Sequence, residues 1–327
     1  VAGMIVTVTA NPSLDRTIVL DAPLQPGAVQ AAASTREDAG GKGINVARVL
    51  AAAGASALAV LPLAEGDPYG TVLTAERLAA RTVPVAGHCR ANVTITDPAG
   101  VTTKLNLPGE MPSADELTAL QNAVVETAEG ARWVVLAGSL PPGVPDDFYA
   151  QVITAVRERW GAAAPRMAVD ASGPALAAVV ARAHPDLIKP NDDELAELTG
   201  VSLDAADADV DALTDANDLA QAAARLGRAL VPAKVGAALI TLGGRGAVLV
   251  TPDGAYAAVP PPTRVRSTVG AGDSSLAGYL LAESRGADPA ACLVSSIRHG
   301  AAAASLPGTM APRPGDLPTA DIAVAHL

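Results

Sequence analysis

The pattern of apolar and polar positions changes character near residue 110. Upstream, short β-branched runs are cut by proline and glycine. Met4 to Thr9 is an apolar run that ends at Asn11-Pro12, which predicts a buried strand and a sharp turn. Thr17–Leu20 and Ala28–Thr35 are strand-like patches, broken by Pro23, Pro26 and Gly27. From Ile44 to Ala53 the spacing turns helical, with Gly54 as the stop. Val93–Thr96 and Thr102–Leu107 flank Asp97-Pro98-Ala99-Gly100, a hairpin signal.

Downstream, helical stretches alternate with short apolar runs at Trp133–Leu136, Met167–Val169, Leu187–Ile188, Ala237–Thr241 and Ala247–Val250. Such alternation predicts a parallel sheet wrapped by helices. Residues 203–222 are acidic and Ala-rich and predict a surface helix or loop. No internal repeat or low-complexity linker divides the chain. The pattern therefore predicts one α/β domain over 1–327, with strands from about 16–37 and 90–107 forming a small side sheet that covers the site as a lid.

Composition narrows the function classes. Half of the 327 residues are hydrophobic and 17% are charged, enough to bury a large core and to exclude global disorder. The net charge of −11 argues against nucleic acid or an anionic membrane as partner, though a few focused cations still permit an anionic small molecule. Cys89 and Cys292 stand far apart and form no metal spacing or disulfide framework, so the expected setting is reducing and cytoplasmic. The first residues carry no basic segment followed by an apolar core, so no secretion signal is expected.

Five segments carry candidate chemistry. Gly270-Ala271-Gly272-Asp273 opens an apolar helical run. Glycines at a helix start let main-chain N–H groups converge on an anion, and an Asp beside them can take a proton from an attacking hydroxyl. The same Asp would also serve as a plain helix cap. Gly40-Gly41-Lys42-Gly43-Ile44-Asn45 precedes a helix; it lacks Walker A spacing, yet offers close backbone approach and a point charge for phosphate, or else an ordinary turn. Lys189-Pro190-Asn191-Asp192-Asp193-Glu194 sets Asn and Glu oxygens three apart, suited to a hydrated magnesium ion or to a capped helix start. Thr241-Leu242-Gly243-Gly244-Arg245-Gly246 is a glycine-rich turn between apolar strands, fit for a nucleotide or for nothing beyond a hairpin. On the hairpin arms, Arg90 with Asn92 and Lys104 with Asn106 share faces at period 2 and would hold a sugar phosphate, or form the wet side of the sheet. Asp15 either accepts sugar hydroxyls or closes a turn.

In this order, from about residue 4 to residue 306, the segments resemble the ribokinase-like (PfkB) carbohydrate kinase family. Thr9-Ala10-Asn11-Pro12-Ser13-Leu14-Asp15, Ala39 to Ala47, Ala137-Gly138-Ser139-Leu140-Pro141-Pro142-Gly143 and Lys189-Pro190-Asn191 are similar to its hexose-phosphate branch. The resemblance implies a three-layer α/β/α fold with a mostly parallel sheet and a β lid. It implies transfer from ATP, with Mg2+, to a hexose phosphate: foremost fructose 1-phosphate, giving fructose 1,6-bisphosphate, with tagatose 6-phosphate and fructose 6-phosphate as alternatives. Asp273 would be the base, with Gly270, Ala271 and Gly272 as the anion hole. Asp15, Gly40, Gly41, Asn45 and Asn92 would hold the sugar, and Lys42, Arg90 and Lys104 its phosphate, with Ser139 nearby. Lys189, Asn191, Thr241, Gly243 and Gly246 would meet ATP, and Asn191 with Glu194 the metal, largely through water. Lid pairing in relatives implies a homodimer. Rival readings are a kinase of an unphosphorylated sugar or nucleoside, and a non-catalytic sugar-phosphate sensor. A nicotinamide oxidoreductase is a poor third reading, because no strand leads directly into Gly-x-Gly-x-x-Gly with an acid about 20 residues on. Arg264 and Arg266, and the adenine pocket, are left unassigned.

Overall fold

A computed structural model describes residues 3–203 and 216–327. Ten strands form one large sheet in the order β14-β13-β12-β11-β10-β9-β8-β1-β4-β5. Here β1 is Ile5–Thr9, β4 Ala57–Ala64, β5 Ala80–Val85, β8 Trp133–Ala137, β9 Arg166–Asp170, β10 Leu187–Ile188, β11 Ala238–Thr241, β12 Ala247–Thr251, β13 Gly254–Ala258 and β14 Val324–His326. From β5 through β11 neighbours run parallel, and β12 to β14 add an antiparallel end.

Every residue of β1 and of β8 is buried, which is why both read as unbroken apolar runs rather than alternations. Their side chains still alternate between two cores. Val6, Val8, Val134 and Leu136 join the core under α3 (Ala114–Thr127), α4 (Phe148–Trp160) and α5 (Gly173–Arg182). Ile5, Trp133 and Val135 join the other, under α1 (Lys42–Ala52), α8 (Ala271–Ser284) and α9 (Pro289–Ser305). Two cores on opposite faces make the expected three layers.

The second sheet has four strands, β3-β2-β6-β7, with β2 Ser13–Leu20, β3 Ala32–Gly40, β6 Arg90–Thr96 and β7 Thr102–Asn106. The hairpin between β6 and β7 forms where expected because the Asp97 carboxylate accepts from the N–H groups of Ala99 and Val101, both at 2.9 Å. Two boundaries differ from expectation. β2 starts at Ser13, directly after the turn, and β3 extends to Gly40 instead of ending at Thr35. Both strands are polar along much of their length, so the apolar pattern understates them.

β4, β5 and α2 (Pro68–Ala75) were not foreshadowed by the pattern, since Ala-rich runs such as Ala57-Leu58-Ala59-Val60 serve strand and helix alike. Residues 204–215 of the segment expected at the surface lie outside the described residues. The remainder corrects that expectation: α7 (Ala216–Arg228) buries Leu219, Ala220, Ala222, Ala223 and Ala224 in the core. Among the described residues no helix is long and apolar enough to cross a membrane. Cys89 and Cys292 are both free thiols.

β1 sits between β4, reached early in the chain, and β8, reached later. Strand order therefore reverses direction at β1, and open α/β sheets bind ligands at the carboxyl ends of their strands around such a point. Asp170 ends β9, Lys189 follows β10 and Thr241 ends β11 at that same edge.

Candidate active site

One cleft of about 760 Å³ opens along this edge. At one end it is walled by Ser13, Asp15, Arg90 and Asn92 of the small sheet. Next come Gly41, Lys42 and Asn45 of α1, then Lys189, Asn191, Glu194 and the 270–273 turn. Thr241, Gly243 and Gly246 line the far end. The sequence candidates, scattered over more than 230 positions, thus largely share one cavity.

At the centre, Gly270 adopts φ 76, a left-handed conformation that a side chain would strain, and α8 begins immediately after it. The first N–H groups of any helix lack partners within it, and here that turn faces the cleft. Gly272 lies close to Lys189, and a Cβ there would fall 3.3 Å from its Nζ.

Asp273 is 6% exposed, and the Asn45 amide donates to its Oδ2 at 2.7 Å. Burial, followed by the neighbouring Asp170 carboxylate, pushes the Asp273 carboxyl up to about 6, against the opposing pull of Lys42, the Asn45 hydrogen bond and Lys189. A carboxylate tuned that far towards neutrality is suited to accept a proton.

Asp170 is the residue that the sequence reading missed. It is fully buried, with Lys42 Nζ 2.8 Å from Oδ1 and Lys189 Nζ 3.3 Å from Oδ2. Burial alone would raise its pKa, but Lys189 and Lys42 outweigh it and hold the carboxyl below the usual range. Asp170 in turn holds the Lys42 ammonium well above the usual lysine range. The available signal was an apolar strand, Met167-Ala168-Val169, ending in an acid at the carboxyl edge of a parallel sheet. Lys42, expected to hold the substrate's phosphate, lines the cleft and is engaged with Asp170 beside Asp273.

Towards the small sheet, Asp15 Oδ1 accepts from Ser13 Oγ at 2.8 Å and from Asn92 Nδ2 at 3.0 Å. Burial raises the Asp15 pKa, moderated by those two hydrogen bonds and by Arg90 and Arg48. Gly40 gives Asp15 its room, since a Cβ on Gly40 would fall 2.2 Å from the carboxylate. Gly41, at φ 125, lies against Thr9, whose hydroxyl accepts from Ile44 N at 3.1 Å and so fastens the start of α1. Arg90 donates to the Leu107 carbonyl at 3.1 Å, while its Nε is buried without a partner.

Three expected ligands do not line the cleft, the first being Gly40, which is buried against Asp15. Lys104 is exposed, on the same face as Asn92 but one rung further out, opposite Thr94, and it does not line the cleft. Ser139 is also exposed and outside the cleft, with its Oγ 3.5 Å from Asn11 Nδ2. Arg264 and Arg266 are exposed and do not line the cleft either.

Asn191 and Glu194 form a reciprocal cap on α6 (Asp192–Thr199). Asn191 Oδ1 accepts from Glu194 N at 2.7 Å, and Glu194 Oε2 accepts from Asn191 N at 2.9 Å. The structural alternative considered from sequence is thus present, and both residues also face the cleft. At the far end Gly246, at φ 112, is held so close to Ala258 that a Cβ would sit 2.3 Å from its carbonyl oxygen. The adjoining walls are Pro260, Pro261, Pro262, Thr263 and Val265, with Ile297, Gly300, Ala301 and Ala304 of α9. These small and apolar residues make a slot suited to a planar base. Sequence reading did not assign them, because no single residue among them is chemically distinctive.

The chain is similar to known proteins along most of its length. The pattern described as pfkB family carbohydrate kinase matches residues 8–315. The 1-phosphofructokinase of Rhodobacter capsulatus is 36% identical over 288 residues, 87% of this chain and 85% of its own. The ATP-dependent 6-phosphofructokinase isozyme 2 of Escherichia coli is 33% identical over 304 residues, 92% of this chain and 91% of that one. The solved tetrameric inhibited form of phosphofructokinase-2 from Escherichia coli has a TM-score of 0.79 to this fold at 31% identity, covering 93% of each chain. Likeness of this extent in sequence and in fold means that the chain belongs to the pfkB family of carbohydrate kinases.

Proposed function

We propose that this chain transfers the γ-phosphoryl group of ATP to a hydroxyl of a hexose phosphate, foremost fructose 1-phosphate, giving fructose 1,6-bisphosphate. The observation that carries the proposal is Asp273, buried at an amide-lined turn in a cleft that runs from the polar face of the small sheet to the Thr241–Gly246 turn. The printed names of the relatives support the choice of substrate class.

In this reading Asp15, Gly41, Asn45 and Asn92 hold sugar hydroxyls and Arg90 meets the existing phosphate, with Lys104 on the same face within the lid. The free Nε of Arg90 is a donor in need of such an anion. ATP lies along Thr241, Gly243 and Gly246 with its base in the apolar slot, and Lys189 and Lys42 stand near its phosphates. The sugar hydroxyl oxygen attacks the γ-phosphorus as the bond to the β-phosphate oxygen breaks. Asp273 takes the hydroxyl proton, and the amides of Gly270, Ala271 and Gly272 receive the charge that develops on the γ-oxygens.

Mg2+ fits this site as an ion carried largely by ATP and water. Among the described residues no group of three or more acidic, His or Cys side chains is placed to hold a metal, and Glu194 already uses Oε2 in its cap. Asn191 and Glu194 would act through water, and the ion would neutralise the phosphate oxygens.

Activity with fructose 1-phosphate, tagatose 6-phosphate and fructose 6-phosphate, measured in one coupled assay with ribose and adenosine as controls, tests the substrate. A preference for fructose 1-phosphate is expected. Turnover of ribose or adenosine in preference to all three would overturn the reading, and no turnover of any would revive a sensor. The pH dependence follows from Asp273: with its carboxyl near 6, the ionised base gains population as pH rises, so kcat/KM should climb with a midpoint near 6. A flat profile between pH 5 and 7 would contradict Asp273 as the base.

A homodimer through the lid belongs to the same proposal, as does a reducing cytoplasmic setting. The lid face opposite the cleft carries Ile18 paired with Ile95 through β2–β6, and Val93 paired with Leu105 through β6–β7. Leu105 is 54% exposed, so a second lid would cover apolar surface there. Sedimentation should find dimers that Leu105→Asp weakens; a monomer at all concentrations would refute this part.

A further inference from the structure

One cluster next to the cleft has no place in the mechanism above. Arg48, on α1, donates Nε to Glu76 Oε2 at 2.9 Å and one NH2 to Glu76 Oε1 at 3.0 Å. Its other terminal nitrogen donates to Asn45 Oδ1 at 2.9 Å. The pair also grips the root of lid strand β3, where Arg48 donates to the Ala39 carbonyl and the Ala39 N–H donates to Glu76 Oε1 at 3.3 Å. Arg48 is 16% exposed and Glu76 21%, so this ion pair is largely shielded from solvent.

An amide side chain has two unlike ends of almost equal shape. If Asn45 turned its oxygen to Asp273, two acceptors would face each other. A guanidinium has donors only, so a fixed Arg48 tolerates only the oxygen end of Asn45. The NH2 end is then left to face Asp273, as observed at 2.7 Å. We propose that Arg48, clamped by Glu76, is a positioning residue that sets the Asn45 amide so its NH2 group meets Asp273, and that ties this setting to the lid root at Ala39. This rests on the reading of Asp273 as the base.

Four groups bear on Asp273: Asn45 and Lys42 from α1, Asp170 from the end of β9, and Lys189 beyond β10. Only Asn45 touches Arg48, so the effect of Arg48 should pass through that single hydrogen bond. Its loss disfavours the ionised base.

The test is the pH profile of kcat/KM for wild type, Arg48→Met, Arg48→Lys, Asn45→Ala and the Arg48→Met/Asn45→Ala double variant. Arg48→Met should lower kcat by about tenfold or more and move the acid limb up by about one pH unit, the size of one charge-assisted hydrogen bond. KM for ATP should stay nearly constant. Asn45→Ala should show the same shift, and Arg48→Met should add none on top of it. Should Arg48→Met not fold, Arg48→Lys, which keeps a cation opposite Glu76 but loses the fork that also reaches Asn45, is read in the same way. A shift that adds to that of Asn45→Ala, or a loss of thermal stability with the acid limb unmoved, overturns the proposal. Asp273→Asn separates the two claims: near-normal turnover there removes the base itself. An inactive Asp273→Asn beside Arg48 variants with an unmoved limb removes only the positioning role.

Discussion

Replacing Asp273 with Asn should lower kcat by about 10²–10⁴-fold, the range that a positioned base contributes, while ATP affinity stays close to wild type. The substitution keeps the shape of the side chain and leaves the 270–272 amides and the nucleotide end of the cleft untouched. Single-turnover kinetics with a separate ATP titration would distinguish chemistry from binding. The same variant should unfold at a higher temperature at neutral pH. The wild-type Asp273 carboxyl lies at about 6 in the folded chain, above its ordinary value of 3.8. The folded state therefore binds the proton more tightly, and stability declines as pH rises from about 4 through about 6. Asparagine carries no such penalty. A variant with lost activity and raised stability is what a strained functional carboxylate implies. Near-normal turnover would remove Asp273 from its role.

Asp170→Ala should have the largest effect on stability. Asp170 is fully buried between Lys42 and Lys189, and Lys189 is itself only 4% exposed. Removing the carboxylate leaves a buried ammonium without a counter-charge, which costs about 3–5 kcal/mol. Urea unfolding at neutral pH measures it. Activity should fall as well, because in the proposed arrangement both lysines lose the group that aims them at the phosphates. The pH dependence of this contribution has the opposite sign to that of Asp273. With its carboxyl held below the usual range, Asp170 stabilises the fold at neutral pH, and that stability is lost as pH falls below 3.8 and through the depressed folded value. A variant as stable as wild type would mean that the lysines find another partner.

Strands of the parallel sheet were legible because residues buried on both faces leave unbroken apolar runs, as in Trp133–Ala137. Glycine turns were legible because φ values such as 76 at Gly270 and 125 at Gly41 select glycine. Strand β3, by contrast, is exposed from Ala32 to Glu37, so nothing apolar marked its course. Asp170 was hidden for another reason. Its meaning comes from two lysines, Lys42 and Lys189, that approach from distant parts of the chain. A lone acid after an apolar run does not reveal such partners. Lys104 shows the reverse error. Period 2 placed it correctly on the face of Asn92, but the sequence carried no measure of how far along the strand the cleft extends. The apolar slot proposed for the base escaped because it is built from shape, with Pro261, Gly300 and Ala301 contributing walls instead of functional groups.

A crystal structure with fructose 1-phosphate, Mg2+ and a non-hydrolysable ATP analogue examines the whole arrangement at once. A sugar hydroxyl is expected about 2.6–3.2 Å from Asp273, with the γ-phosphate against the amides of 270–272 and the sugar's own phosphate at Arg90. A sugar phosphate seated outside this cleft, or one whose hydroxyls all lie out of hydrogen-bond reach of Asp273, would contradict it.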